Sequence, residues 1–206
     1  MLFFNSPNPA PNPRRVRIFA AEKGIVLPMR DLSIPDREHK ADEFLALNPR
    51  GQTPALQLDD GTVIAESVAI CRYLEGLHPE PPLFGRNPRE QALVEMWSRR
   101  VEMILMPPVG AVWVHTHPFT ARLPGRNAEW GESNRPRVEE ALRFFDLALE
   151  GREFLAADHY TMADILLLTT VDFAGFIGIS MSDDFASLRA GHARVSARPS
   201  AAAGMV

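Results

Sequence analysis

The sequence predicts an α/β domain followed by an all-α helical domain, and three observations support this prediction. Strand-like and helix-like patterns alternate from Met1 to Leu77, whereas every regular pattern after residue 88 is helical. Residues 76–87, GLHPEPPLFGRN, lie between these regions and are rich in proline and glycine, which is typical of an interdomain linker. We therefore expect one domain over residues 1–78 and a second over residues 88–206.

The composition is that of an ordinary globular protein and argues against two kinds of partner. The chain has 206 residues, of which 46% are hydrophobic and 23% charged, so it can bury a sizeable core. Its net charge of -4 is unlike the basic surface of a nucleic-acid-binding protein. No apolar run is long enough for a membrane span, and the N-terminal residues lack the layout of a signal peptide. Together with a single cysteine, Cys71, these features predict a cytoplasmic protein.

The first domain is expected to contain elements in the order β-α-β-α-β-β-α. A short strand, Leu2–Phe4, precedes a proline-rich loop. Because proline disfavours helix in the residue before it, the first helix should begin near Pro13, and Gly24 should end it. The later elements are expected as a strand at residues 25–32, a helix at 38–47, strands at 55–58 and 62–64, and a helix at 67–77. This order is that of a thioredoxin-like domain.

The most informative stretch is Asn48–Ser67, which reads NPRGQTPALQLDDGTVIAES. Asn-Pro and Gly51 open a turn, and Thr53-Pro54 stands where this turn meets the third strand. A cis peptide there would leave the Thr53 backbone facing outward, where it could pair with an extended peptide. Asp60-Gly61 is a two-residue hairpin signal between the last two strands.

Glu66 and Ser67 stand at the start of the helix that follows this hairpin. A helix start offers free amides and partial positive charge, so with the Ser67 hydroxyl it can hold a carboxylate, while Glu66 can pair with an ammonium. An α-amino acid head group carries both charges. The alternative is that Ser67 only caps the helix and Glu66 only complements its dipole. The turn, the proline and the hairpin in the same stretch favour a binding site.

This stretch resembles the glutathione transferase family, whose thioredoxin-like domain carries a similar G-x-x-P-x-L turn and E-S helix start. The run PNPRRVRIFAAEKGI strengthens the resemblance to bacterial members, and a T-x-x-D box at Thr161 extends it to the helical domain. The resemblance implies positions that bind the cysteinyl part, the γ-glutamyl end and the glycyl carboxylate of glutathione. These are, in that order, Thr53 with Pro54, Glu66 with Ser67, and His39 with Gln52.

The second domain is expected to consist of helices separated by a proline break and a polar loop. A long helical segment over residues 88–117 should be kinked or divided at Pro107-Pro108, and residues 119–131 should form the loop. Further helices are expected at 133–150, 162–177 and 188–195, followed by a frayed alanine-rich end. Thr161 and Asp164 are predicted to form a capping box, with Asp in place of the usual Glu.

The resemblance also locates the group that should activate the glutathione thiol, and here the chain departs from the family. The thiolate is the nucleophile, and the serine-type branches stabilise it with a Ser six residues before the Val of the R-V-R run. That position is Ala10, whose methyl group donates no hydrogen bond. We predict that Asn12, with a side-chain amide and a backbone N–H at the helix start, takes this role. Asn8 and Ser6 are the other nearby donors, and the alternative is that both asparagines are plain turn residues.

A hydrophobic pocket for the second substrate is expected mainly in the helical domain. Its candidate lining residues are Met106, Trp113 and Phe176 together with Asn8, although helical methionine and aromatic residues also occur as plain core. His115 and His117 are two residues apart, which does not place both on one helical face, so we predict no metal site. No C-x-x-C follows the first strand, so a dithiol mechanism is not expected.

The predicted function is glutathione transfer, with glutathione as co-substrate. The thiolate, held near Ala10 and Asn12, attacks a hydrophobic electrophile in the cleft between the two domains, and the resemblance implies a homodimer that acts in detoxification. Two alternatives stay open: a glutathione-dependent disulfide-bond reductase, and a glutathione-binding or regulatory module that has lost activation at Ala10. The sequence does not identify the electrophile, because such a pocket is built from scattered helical residues.

Overall fold

The structure, a computed structural model, describes residues 1–7 and 9–203. These residues fall into two compact units. The first comprises Met1–Leu83 together with the C-terminal segment that starts at Ala197, and the second comprises Phe84–Ser196. The C-terminal segment thus belongs to the first unit although it follows the second unit in sequence.

The first unit is built on a four-stranded mixed sheet. Its strands are β1 Leu2–Asn5, β2 Met29–Asp31, β3 Ala55–Gln57 and β4 Val63–Ala65, and its first three helices are α1 Pro11–Glu22, α2 Asp42–Leu47 and α3 Ser67–Leu77. The strands are ordered β2-β1-β3-β4, with β1 parallel to β2 and the other neighbouring pairs antiparallel. This architecture confirms the thioredoxin-like prediction.

Both faces of this sheet are covered. Phe3 and Phe4 are neighbours in β1 and therefore point to opposite faces, yet both are buried. Phe4 contacts Phe44 of α2, with ring centroids 5.3 Å apart, in a cluster with Leu32 and Ala55. α3 contacts β3 and β4 and packs against α1. The strands that carry the candidate site are therefore held by a hydrophobic core.

Two helices of this unit differ from the prediction. α1 begins at Pro11 rather than near Pro13, because proline fits the first turn of a helix, where its missing N–H needs no partner. The helix expected at residues 38–47 is divided at Ala41, whose extended backbone separates a 3₁₀ turn, Glu38–Lys40, from α2. His39 therefore lies on the 3₁₀ turn and not on an α-helix.

Two strands, β2 and β3, are shorter than predicted. β2 covers Met29–Asp31 rather than residues 25–32, because only these three residues pair with β1. The hairpin between β3 and β4 has a longer loop than a two-residue turn, since the Leu58 N–H donates to the Thr62 carbonyl at 2.8 Å. Asp60 and Gly61 still shape this loop: Asp60 accepts from the Thr62 N–H at 2.9 Å, and Gly61 has a φ of 86°.

Every regular element of the second unit is helical, and all of its residues are described. The helices are α4 Pro88–Arg100, α5 Met106–Thr116, α6 Ala128–Ser133, α7 Arg135–Leu149, α8 Met162–Phe176 and α9 Ala186–Ser196, with a π-helical turn Val101–Leu105 and a 3₁₀ turn Pro118–Thr120. The prediction of a second, all-helical part is confirmed. In the described parts of both units, no helix has the length and apolar character needed to cross a membrane.

The break predicted at Pro107-Pro108 lies one turn earlier, at the π-helical turn Val101–Leu105. Neither proline has an N–H to donate to the carbonyl four residues before it, so the regular α spacing is lost in that preceding turn. A second difference is α6, which occupies part of the predicted polar loop. Asn127 caps it by accepting a hydrogen bond from the Trp130 N–H at 3.0 Å.

α8 is almost entirely buried, and its first turn is closed by the predicted capping box. The Asp164 carboxylate accepts from the N–H and from the hydroxyl of Thr161, both at 2.9 Å, and from the N–H of Leu155 at 2.8 Å. Asp in place of Glu is therefore confirmed as the capping-box acid. The same carboxylate ties the loop before α8 to the helix start.

The C-terminal segment is helical rather than frayed as far as it is described, which is up to residue 203. α10, Pro199–Ala203, packs against α1. The Arg198 guanidinium donates to both carboxylate oxygens of Glu22, at 2.8 and 2.7 Å, and the Ser200 hydroxyl donates to the same carboxylate. Burial opposes ionisation of Glu22, but these hydrogen bonds outweigh it and lower the pKa of that carboxyl. Composition alone could not reveal a contact between residues 176 positions apart.

Candidate active site

The loop between β1 and α1 contains the position that departs from the family pattern. Ala10 precedes α1 and offers no side-chain hydrogen bond to its first turn. Pro11 and Pro13 have no N–H, so Asn12 is the one backbone donor among the first three helical residues. The Asn12 side chain is half-buried, and its Oδ1 is buried with no hydrogen-bond partner in the described part of the chain. Asn8, the other predicted asparagine, lies outside the described residues.

The turn at Thr53-Pro54 is joined to the end of β1. The peptide bond between Thr53 and Pro54 is cis, the geometry that the site prediction invoked. Pro54 is buried next to β3, whereas Thr53 is half-buried. The Ser6 Oγ lies 2.7 Å from the Thr53 Oγ1. Ser6 is fully buried, so it contacts the protein interior rather than solvent.

Glu66 and Ser67 lie at the junction of β4 and α3. Glu66 is exposed and has a φ of 69°, a left-handed conformation that non-glycine residues rarely adopt. Such conformations cost about 1–3 kcal/mol and occur often at functional sites. Ser67 is the first residue of α3 and does not cap it; its buried hydroxyl accepts a hydrogen bond from Nη1 of Arg15 at 3.4 Å. The simple capping role does not hold for Ser67.

Arg15 is a candidate site residue that the sequence prediction missed. Arg14, Arg15 and Arg17 of α1 are all buried, which is rare for arginine and normally requires partners. Nη1 of Arg17 donates to Oδ1 of Asn5 and to the carbonyl of Ser6, the latter at 3.1 Å. Burial lowers the pKa of Arg17 to about 10, so this side chain stays charged at neutral pH. The R-R-V-R run is the sequence signal for this burial, because three arginines on one short stretch of helix cannot all point away from the sheet against which the helix packs.

His39 lies on the 3₁₀ turn Glu38–Lys40, and Gln52 lies in the turn before β3 that this 3₁₀ turn contacts. Lys40, next to His39, donates to the carbonyls of Arg50 and Gly51 at 3.0 and 2.7 Å, which holds the 3₁₀ turn against this loop. Gln52 is exposed and accepts from Arg50. Nδ1 of His39 is buried and has no hydrogen-bond partner among the described residues. Burial, with help from nearby cations, lowers the pKa of His39, so its imidazole is neutral at pH 7.

Trp113 and Phe176, predicted to line the electrophile pocket, meet in one aromatic cluster of the second unit. Their ring centroids lie 6.0 Å apart. Met106 is half-buried and lies two helical turns before Trp113, on the same face of α5. The cluster also contains residues that the prediction missed: His117, Phe119 and Phe173. Because Phe119 and Phe176 are exposed, the cluster presents an apolar aromatic surface.

The single thiol of the chain is unsuited to catalysis. Cys71 lies fully buried inside α3. Burial raises the pKa of the Cys71 thiol, which therefore stays protonated at neutral pH. Within residues 1–7 and 9–203, no three side chains of His, Cys, Asp or Glu converge in a metal-binding group.

The first unit offers groups that complement a short peptide with two carboxylates and one ammonium. Glu66 can pair with the ammonium, and the start of α3, with Ser67 and Arg15, can hold a carboxylate. The neutral groups of His39 and Gln52 can donate hydrogen bonds to a second carboxylate.

Comparison with known proteins identifies the family of both units. Residues 10–77 match the family model described as "Glutathione S-transferase, N-terminal domain", and residues 105–199 match "Glutathione S-transferase, C-terminal domain". Glutathione S-transferase 2 of Saccharomyces cerevisiae is 35% identical over 204 residues, which cover 97% of this chain and 87% of that protein.

Solved structures lead to the same family. Gtt2 from Saccharomyces cerevisiae has a TM-score of 0.92 at 34% identity, covering 99% of this chain and 100% of that one. A glutathione S-transferase domain-containing protein from Marinobacter aquaeolei VT8 has a TM-score of 0.90 at 35% identity, covering 97% and 99%. One relative is from a yeast and the other from a bacterium, so they do not assign the chain to a bacterial branch. This chain belongs to the glutathione S-transferase family and is an enzyme of that family.

Proposed function

We propose that this enzyme transfers glutathione to a hydrophobic electrophile. The observation that carries the proposal is the junction of β4 and α3, where Glu66 has a left-handed backbone and the Ser67 hydroxyl is bonded by buried Arg15. A carboxylate, a hydroxyl and a guanidinium at a helix start complement the ammonium and the carboxylate of the γ-glutamyl end of glutathione. Thr53, next to Pro54, pairs through its backbone with the cysteinyl part.

In this proposal, the groups that bind glutathione and the groups that bind the electrophile lie on different units of the chain. His39 and Gln52 of the first unit hold the glycyl carboxylate. The aromatic cluster of the second unit, with Trp113, Phe176 and the nearby Met106, holds the electrophile through apolar contact. Conjugation makes such an electrophile polar, which is the chemistry of detoxification, and the single cysteine of the chain suits the reducing cytoplasm.

The thiol of bound glutathione must ionise near the start of α1 before it can attack. Lowering a thiol pKa by about two takes roughly 2.7 kcal/mol. A favourable helix start contributes up to about 2 kcal/mol, and a hydrogen bond to a charged group contributes about 1.5–3 kcal/mol. The backbone N–H and the side-chain amide of Asn12 supply both, in place of the hydroxyl missing at Ala10. The thiolate sulfur then bonds to the electrophilic carbon, and the leaving group departs with its electron pair.

We expect the thiol of glutathione bound to this enzyme to titrate with a pKa of about 6 to 7, well below that of an ordinary thiol. Asn12→Ala should raise this pKa by about one, because it removes a donor to the thiolate. Ala10→Ser should lower it, because it restores a hydroxyl at the family position. The measurement is the ultraviolet absorbance of the bound thiolate against pH. Cys71→Ala is the control and should give the wild-type titration curve, since the buried Cys71 thiol stays protonated.

Two outcomes of this titration, the second combined with turnover assays, contradict glutathione transfer and favour the alternatives. A bound thiol pKa equal to that of free glutathione indicates a binding or regulatory module that lacks activation at Ala10. A lowered pKa combined with turnover of mixed disulfides, and no turnover of hydrophobic electrophiles, indicates a glutathione-dependent disulfide-bond reductase. An unchanged pKa in Asn12→Ala removes Asn12 from the activating role.

We also propose that the enzyme is a homodimer. The proposal is supported by the long helical segment Pro88–Thr116, which comprises α4, the π-helical turn and α5 and is the kind of element that pairs between copies in this family. Light scattering of the full chain at micromolar concentration should therefore give twice the mass of one chain. A mass of one chain contradicts the proposal.

A further inference from the structure

The end of β1 and the turn before β3 are joined by a side-chain hydrogen bond that no known role explains. The Ser6 Oγ lies 2.7 Å from the Thr53 Oγ1. The antiparallel register pairs Phe4 with Ala55, and two further steps along it place Ser6 opposite Thr53. Pro54 has no N–H with which to extend the ladder, so the two hydroxyls make a contact that the backbone cannot make there.

Ser6 is itself held in place by buried charge. Its carbonyl accepts a hydrogen bond from Nη1 of Arg17 at 3.1 Å, and the same nitrogen donates to Oδ1 of Asn5. Asn5 in turn donates through Nδ2 to the Asp31 carboxylate at 2.6 Å. Hydrogen bonds to ionised groups are roughly twice as strong as those between neutral groups. These hydrogen bonds therefore fix the position of Ser6, and the Thr53 side chain adjusts to it.

Thr53 is the more adaptable partner of this bond. It is half-buried and lies in the turn, outside the last pair of the β1–β3 ladder. Its β-branched side chain has few rotamers, and the bond to Ser6 selects one of them. Because rotamer and backbone conformation are coupled, the bond also restricts the direction of the Thr53 N–H and carbonyl groups. Ser6 is 0% exposed, so it acts on a ligand through Thr53 and not by touching it.

We propose that Ser6 is a positioning residue for glutathione, because its buried hydroxyl fixes Thr53 in the geometry that pairs with the cysteinyl backbone. This inference rests on the proposed function, in which Thr53 makes that contact. It assigns two tasks to two nearby residues, Ser6 just after β1 and Asn12 in the first turn of α1. Ser6, through Thr53, sets the affinity for glutathione, whereas Asn12 sets the pKa of the bound thiol.

Ser6→Ala should weaken the binding of reduced glutathione by about five- to tenfold, the range expected for one lost neutral hydrogen bond. The affinity is measured by titration calorimetry well below the unfolding temperature. KM for glutathione should rise by the same factor, while kcat and the pKa of the bound thiol stay at their wild-type values. A purely structural role of Ser6 would lower the unfolding temperature and leave the affinity of the folded enzyme unchanged.

Variants of Thr53 test the same bond from its other side. Thr53→Val removes the hydroxyl with little change in shape, so it should weaken binding as Ser6→Ala does. The double variant should bind no more weakly than either single variant, since both remove one shared interaction. Thr53→Ser keeps the hydroxyl and should bind glutathione within about threefold of the wild-type enzyme. If Ser6→Ala does not fold, Thr53→Val decides the inference, because Thr53 is only half-buried.

Ser98→Ala is the matched control for loss of a buried serine hydroxyl. Ser98 is also 0% exposed, but its Oγ has no hydrogen-bond partner among the described residues, so its removal should leave the affinity for glutathione unchanged. Wild-type affinity in Ser6→Ala, or additive losses in the double variant, would overturn the inference while leaving the proposed function intact. A wild-type enzyme that does not bind glutathione would overturn both.

Discussion

Asp164→Ala should lower the free energy of unfolding of the helical unit by about 3–5 kcal/mol, because each buried donor that loses its acceptor costs about 1–3 kcal/mol. The buried carboxylate accepts three hydrogen bonds of 2.8–2.9 Å, two from Thr161 and one from Leu155. Alanine would leave these three donors unpaired inside the protein. All three tryptophans of the chain lie in this unit, so urea denaturation followed by tryptophan fluorescence measures its unfolding.

Asp158→Ala is the control for this substitution. Asp158 lies in the same unit, where its carboxylate pairs with Arg86 at 3.2 Å and lies 3.0 Å from Nδ1 of His159, but its side chain is 80% exposed. Exposed ion pairs contribute about 0–1 kcal/mol, so this variant should unfold close to the wild-type urea concentration. If the two substitutions shift the fluorescence midpoint by similar amounts, the capping carboxylate does not have the stabilising role assigned to it.

The pH dependence of stability provides a second signature of Asp164. Burial raises the pKa of this carboxyl from 3.8 to about 6, against the opposing effect of its hydrogen bonds from Leu155 and Thr161. Between these two values the folded state retains a proton that the unfolded state releases, so this group's contribution to stability falls as the pH rises and is constant above about 6. Asp164→Asn cannot titrate. The difference in unfolding free energy between wild type and this variant should therefore change between pH 4 and 6.5 and then level off.

The elements predicted correctly from the sequence are those whose signals are local. α3 was predicted at residues 67–77 and occupies them, because a β-hairpin and an E-S start define one end and a Pro-Gly-rich linker the other. The start of α8 was likewise predicted through Thr161 and Asp164, which are three residues apart. Capping, turn and linker signals act within one or two turns of chain, so a single sequence is enough to interpret them.

The parts that were missed depend on contacts between distant residues. Arg15 meets Ser67 across 52 positions and Ser6 meets Thr53 across 47, so neither pair has a spacing that predicts it. The left-handed backbone of Glu66 could not be predicted from the sequence either. Glutamate has no preference for positive φ and adopts it here only because the surrounding fold imposes it. The family resemblance supplied the expected binding positions, whereas the residues that hold those positions in place required the structure.

Lys23→Met should destabilise the first unit by about 3–5 kcal/mol, because it removes the cation from a buried ion pair. The side chain of Lys23 is inaccessible to solvent, and its Nζ lies 2.7 Å from a carboxylate oxygen of Glu75. The same ammonium donates to the carbonyls of His78 and Pro81, both at 2.6 Å. One side chain thus joins the end of α1 to the end of α3 and to the residues after it. Methionine has a similar length but leaves a buried carboxylate and two carbonyls without this donor.

Labelling of Cys71 is the suitable measurement, because the first unit contains no tryptophan among its described residues and Cys71, inside α3, is 0% exposed. The urea concentration at which a thiol reagent first labels Cys71 therefore reports the opening of this unit. Lys40→Met is the matched control. The Lys40 ammonium also donates to two carbonyls, at 3.0 and 2.7 Å, but its side chain is exposed, so the expected loss of stability is about 1 kcal/mol or less.

Adding Glu75→Gln to Lys23→Met should restore part of the lost stability, because removing both charges of a buried ion pair costs less than removing only one of them. A double variant that is less stable than Lys23→Met alone would show that Glu75 stabilises the unit through contacts other than this ion pair.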